Sequence, residues 1–311
     1  MRCTSLLVVL MVAGCAGGDD ASVSEQSDPA VLEVQIVARG QRSAEARAVT
    51  QGRLGSRQAA IPVPRVFSRA GSEPDRQSIV WEEIYLREPD GSERRLTSDR
   101  NADLAPQLLG DGRAAFVSCV FHEGDVPPDC MLDAIDPATE KRETLLDDLG
   151  LVFHGELSPD ERRFLFTRLE ESGGVAGLFV RDLGGGGESR LVDGEAGTWS
   201  PDGRRIAFVS DRDENGRCLF HDCVGHAGEI YIANADGTDE QRLTQNPQVD
   251  AAPEWSGDGE WIVFGRIADE EGDWDLHAVR ADGACERQLT DTPRWEVGAV
   301  WHGGGHGGLS C

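Results

Sequence analysis

The sequence predicts an all-β chain, a β-propeller of four-stranded antiparallel blades, on three observations. One phrase recurs: Trp199-Ser-Pro-Asp-Gly203 returns as Trp255-Ser-Gly-Asp-Gly259, Leu157-Ser-Pro-Asp-Glu161 and Leu108-Leu-Gly-Asp-Gly112, with a weaker copy at Trp301-His-Gly-Gly-Gly305. Its fourth positions, Asp111, Asp160, Asp202, Asp258 and Gly304, are spaced by 49, 42, 56 and 46 residues, the period of propeller blades. The complete heads are followed by short continuous apolar runs, as in Ile206-Ala-Phe-Val-Ser210, which expect cover on both faces.

Along the chain, residues 1–14 come first: Arg2, then the apolar stretch Leu6 to Val12, read as an export signal too short to span a bilayer. The run Val12-Ala13-Gly14-Cys15 resembles the lipobox of bacterial lipoproteins, which implies cleavage before Cys15 and its acylation. Ala16 in the next position implies the outer membrane, facing the periplasm or the cell surface. Residues 15–30 are small, polar and acidic and read as a disordered tether. Residues 31–62 carry a mixed pattern with one strand candidate at Val31 to Val37, and the repeats occupy 63–311.

Within each unit the apolar strand after the head (Ala114 to Ser118, Phe164 to Thr167, Ile206 to Ser210, Trp261 to Phe264) leads to another. These are Leu178 to Arg181, Ile230 to Ala233, Leu276 to Val279 and, upstream, Ile84 to Arg87. Asp90-Gly91, Asp236-Gly237 and Asp282-Gly283 then read as tight hairpin turns in which both residues tolerate positive φ. Tails follow at Arg95-Leu-Thr97, Thr144-Leu-Leu146, Arg190-Leu-Val192, Arg242-Leu-Thr244 and Gln288-Leu-Thr290. Five heads and five tails out of phase predict five blades, closed by a strand at Ala299 to Trp301 joining the first unit. Residues 31–60 would make a sixth if they form a degenerate blade.

The run from Trp199 to Leu243 resembles the WD-like propeller repeats of the TolB family, and the likeness extends over roughly residues 63 to 302. It implies a propeller with a binding role. TolB proteins carry an α/β domain before the propeller, for which too few residues precede these repeats. The head residues read as scaffold, with Trp199 and Trp255 filling space between blades.

The net charge of −26 disfavours nucleic acid as a partner and leaves the lipid as the only membrane attachment. Six cysteines beyond Cys15 suggest three disulfides in an exported chain. Cys119 and Cys130 stand at the facing ends of one hairpin, Cys218 and Cys223 share an insertion, and Cys285 and Cys311 remain by elimination. In that insertion Cys218, His221, Cys223 and His226 offer a mixed sulfur and nitrogen set for zinc, with a disulfide and two solvated histidines as the alternative. Asp211, Asp213, Asn215 and Asp222 have the spacing of a calcium loop, although Ser-Asp-Arg-Asp is also a turn sequence of the resembled family. His302 and His306 sit in a glycine-rich tail. No His-Glu-x-x-His helix, phosphate loop, dinucleotide fingerprint or serine elbow occurs. The expectation is therefore a monomeric envelope lipoprotein without cofactor or enzymatic activity, binding a protein or polymer. The alternatives are a cation- or small-ligand-binding propeller and a hydrolase or lyase with an axial site.

Overall fold

The computed structural model describes residues 36–37, 65–70, 82–88, 90–99, 101–121, 128–170, 174–213, 228–267, 274–290 and 311. They form five four-stranded antiparallel sheets with no helix among them, the predicted five-bladed architecture. The first sheet holds β1 (Ile36–Val37), β2 (Arg65–Ala70), β3 (Glu82–Arg87) and β4 (Glu93–Arg95). The second holds β5 (Ala102–Leu108), β6 (Ala114–Val120), β7 (Asp129–Ile135) and β8 (Arg142–Leu146). The third holds β9 (Val152–Leu157), β10 (Arg163–Leu169), β11 (Val175–Asp182) and β12 (Glu188–Val192). The fourth holds β13 (Glu195–Trp199), β14 (Arg205–Ser210), β15 (Glu229–Asn234) and β16 (Gln241–Arg242). The fifth holds β17 (Asp250–Trp255), β18 (Trp261–Ile267), β19 (Trp274–Arg280) and β20 (Glu286–Gln288).

In every sheet the strands pair in chain order. In the second to fifth sheets the strand ending in a head is one edge and the tail strand is the other. The edge strands β1, β5, β9, β13 and β17 lie against one another in succession, so they are the inner strands around the axis. Second strands are buried on both faces: β6, β14 and β18 are almost wholly enclosed, with Phe116, Phe208 and Phe264 at their centres. The core is thus a set of layers between neighbouring sheets.

Ile36–Val37 pairs with Val66 and Arg65 and takes the inner place in the first sheet, within the segment that a sixth blade would have used. The closing strand expected at 299–301 lies outside the described residues. The hairpin turns differ from expectation in one respect. Only the glycine adopts positive φ, at 85°, 82° and 73° for Gly91, Gly237 and Gly283, while the aspartate before it does not. In all three the amide of the glycine bonds back to the carbonyl three residues before it, that of Glu88, Asn234 or Arg280, a type I turn followed by a left-handed residue. The aspartate side chain caps the amide two residues on, at 2.8 Å for Asp90 to Ser92 and 3.0 Å for Asp236 to Thr238.

Candidate functional site

The inner strands share a bulge. Ala105, Ala196 and Ala252 occupy the same repeat position with φ of 49°, 50° and 51°, and the pairing with the second strand slips a register there. His154 holds that position in the third sheet, where the slip falls opposite it, between Thr167 and Arg168. A bulge leaves one residue unpaired and re-aims its neighbours, which suits strands that line an axis.

Two residues further on, the side chains tie sheet to sheet. Gln107 Oε1 accepts the Leu157 amide at 2.9 Å, and Glu156 Oε2 accepts the Trp199 amide at 2.7 Å. The Trp199 indole donates to the Glu156 carbonyl at 3.2 Å. Thr198 stands at this position in the fourth sheet and is too short to copy the bond; its Oγ1 and the Trp255 Nε1 are buried without a partner among the described residues.

Glu195 and His154 are titratable groups on the adjacent inner strands β13 and β9 whose ionisation is strongly displaced. The Ala196 amide bonds Thr167 Oγ1 at 2.9 Å, and Thr167 pairs with His154 across β9 and β10, so the start of β13 lies against the middle of β9. Burial, with Asp211 adding like charge, pushes the Glu195 carboxyl up to about 7. Burial alone pushes the His154 imidazole down to about 4, and its Nδ1 has no hydrogen-bond partner among the described residues. Near neutrality the buried junction of β9 and β13 therefore holds an uncharged imidazole and a carboxyl shared between both of its forms. Such a lining can hold a cation or a donor, or exchange a proton. Neither residue belongs to a local motif; each is a single letter in an inner strand, and only the pairing brings them onto neighbouring strands.

The sites singled out in the sequence fall elsewhere. Cys119–Cys130 and Cys285–Cys311 are disulfides, the first cross-linking paired residues of β6 and β7. Trp199 is fully buried, and the guanidinium of Arg163 stacks on it at 4.4 Å. Asp213 receives the Tyr231 hydroxyl and pairs with Arg242 at 2.9 Å, which turns its carboxylate toward protein partners. Asn215, Asp222, Cys218, His221, Cys223, His226, His302, His306 and Cys15 lie outside the described residues. Among the described residues no three His, Cys, Asp or Glu side chains are grouped to hold a metal.

No family model matches the chain. It is 39% identical over 77 residues to the Bacillus subtilis protein named uncharacterized peptidase YuxL, and 37% identical over 67 residues to the Tol-Pal system protein TolB of Alcanivorax borkumensis. These matches cover 25% and 22% of this chain but only 10% and 13% of those proteins. An uncharacterized protein of Agrobacterium fabrum is 28% identical over 246 residues, covering 70% of this chain and 76% of its own length. Among solved structures, a TolB-type protein from Agrobacterium tumefaciens superposes with a TM-score of 0.56 at 17% identity, over 73% of this chain and 76% of that one. An oligogalacturonate lyase in complex with manganese reaches 0.52 at 17% identity, over 75% and 63%. The fold is a TolB-like β-propeller. The expectation of a chain without enzymatic activity is corrected here: a relative named as a peptidase and a lyase of the same fold show that these repeats also serve enzymes.

Proposed function

We propose that the protein is an exported, monomeric lipoprotein, anchored through Cys15 to the outer membrane, whose propeller binds a partner in the cell envelope at the axial lining around His154 and Glu195. The observation that carries this reading is the placement of a near-neutral carboxyl on strands already locked to their neighbours by Gln107 and Glu156, so that binding orders little of the chain. The net charge of −26 favours a partner segment rich in lysine or arginine. The likeness to TolB supports an envelope protein in that role.

Cross-linking in living cells, followed by affinity capture of the lipidated chain and mass spectrometry, tests it against Cys15→Ala and Glu195→Gln. One envelope protein is expected at near-stoichiometric yield, lost with either substitution. Recovery of nothing above the Cys15→Ala control removes the reading. A second reading is favoured by Glu195 itself, since a carboxyl titrating near 7 suits proton transfer in a hydrolase or lyase. Turnover across a panel of envelope glycans and peptides, lost in Glu195→Gln, would establish that role.

A further inference from the structure

Asp103 and Asp250 occupy the same repeat position, five residues before the last residue of the inner strand, and their surroundings differ. Asp250 pairs across the sheet with Arg266, whose guanidinium grips both carboxylate oxygens at 2.6 and 2.8 Å. Opposite Asp103 the second strand carries Ser118 instead. The nearest cation, Arg142, comes from the outer strand β8 and is shared. Its Nε bonds Asp133 at 2.6 Å, its Nη1 bonds Asp99 at 2.5 Å, and its Nη2 bonds the Ser118 hydroxyl at 2.6 Å. Asp103 stands 3.8 Å from that guanidinium. Its side chain is 1% exposed; the Thr97 and Ser118 hydroxyls lie near its oxygens without meeting them in full hydrogen-bond geometry, and Asp133 Oδ1 has no donor among the described residues.

We propose that Asp103 makes the joint between the first and second sheets a pH-responsive latch, tight when its carboxyl carries a proton and loosened when it is ionised. One guanidinium bonds one of the two buried carboxylates and the exposed Asp99, leaving the Asp103 charge only weakly compensated across 3.8 Å. The groups around it are Thr97, Asp99 and Asn101 in the connection from the first sheet, Ser118 on β6, Asp133 on β7 and Arg142 on β8. Glu83 and Arg95 of the first sheet form their own ion pair nearby, and Asp99 acts on Glu83. Burial pushes Asp103 up to about 6, and the Thr97 and Ser118 hydroxyls draw it back only in part.

The sign follows from linkage. A carboxyl raised in the folded state binds its proton there first, so the joint gains stability as pH falls through about 6 towards about 4 and loses it on the way up. Hydrogen exchange of the full-length protein at pH 5.0 and 7.5, corrected for intrinsic rates, reads the joint through the amides of β2, β3 and β5. Opening in the unsubstituted chain is expected to be roughly 10-fold more frequent at pH 7.5. Asp103→Asn should keep the low-pH protection at both values. Glu195 titrates at a different joint, so amides of β9 and β13 report it separately. Equal protection of β2, β3 and β5 at both pH values, or the same loss in Asp103→Asn, overturns the proposal.

Discussion

Arg266 is 8% exposed and bonds both oxygens of the fully buried Asp250, while a third contact runs to Glu286. Replacing it by methionine keeps the apolar stem and strands a buried carboxylate. Arg266→Met is therefore expected to lose about 3–5 kcal/mol in urea unfolding. Arg280 and Asp282 form a pair exposed to water on both sides, and Arg280→Ala should change stability by less than about 1 kcal/mol. His277, and then Arg266, hold the Glu286 carboxyl down to about 2. Its contribution is present above the ordinary glutamate range and fades as pH falls from about 4 towards 2, a loss that Glu286→Gln should flatten in acid unfolding. None of these roles was legible in the sequence. Glu195, His154, Asp103 and Arg266 are isolated letters in strands, and their meaning comes from partners one strand or one sheet away, which no local spacing encodes.

At the scale of elements the sequence was far more readable, because heads and hairpin turns are satisfied within a few residues. In the third sheet's head Ser158 donates to Asp160 at 2.5 Å and accepts the Arg163 amide at 3.0 Å; the fourth repeats this through Ser200, Asp202 and Arg205 at 2.7 and 2.9 Å. The Cys119–Cys130 link was legible for the same reason, lying between facing positions of one hairpin. Replacing both cysteines by alanine should cost about 2–3 kcal/mol through the freed loop, measured by unfolding under non-reducing conditions. The bulge at Ala105, Ala196 and Ala252 escaped notice, since alanine carries no signal for positive φ and only the strand pairing imposes it. Ile36–Val37 ends the strand candidate at Val31 to Val37, but its place in the first sheet was hidden, because its ladder depends on β2 further along the chain. The bond missing at Thr198 gives a constructive test. Thr198→Gln supplies the reach that Gln107 has, and is expected to raise stability by about 1 kcal/mol in thermal or urea unfolding.

At the scale of the molecule, the repeat period set the number of sheets, while charge bears on how firmly they hold together. A net charge of −26 opposes compaction, so the melting temperature should rise as sodium chloride goes from about 10 to 150 mM; a fall would mean that ion pairs outweigh the repulsion. Many of the side-chain bonds between neighbouring sheets reach forward along the chain, although Glu161 of the third sheet reaches back to the Gly110 amide and Arg181 back to the Asp147 carbonyl, each at 2.6 Å. Gln107 reaches forward to Leu157, and Glu156 reaches forward to Trp199. Arg163 donates forward to the Gly203 carbonyl and Arg205 to that of Gly259, each at 3.1 Å and each stacked on the tryptophan of the following head. A ribosome delivers the chain from its N-terminus, so each sheet emerges holding out ties whose receivers have not yet been made. The newest sheet is therefore expected to be the loosest, since its forward ties form only when its successor arrives. A nascent chain arrested once Thr244 has cleared the ribosome, with all four strands of the fourth sheet made, should accordingly leave that sheet more open to protease than the second, which the third already holds.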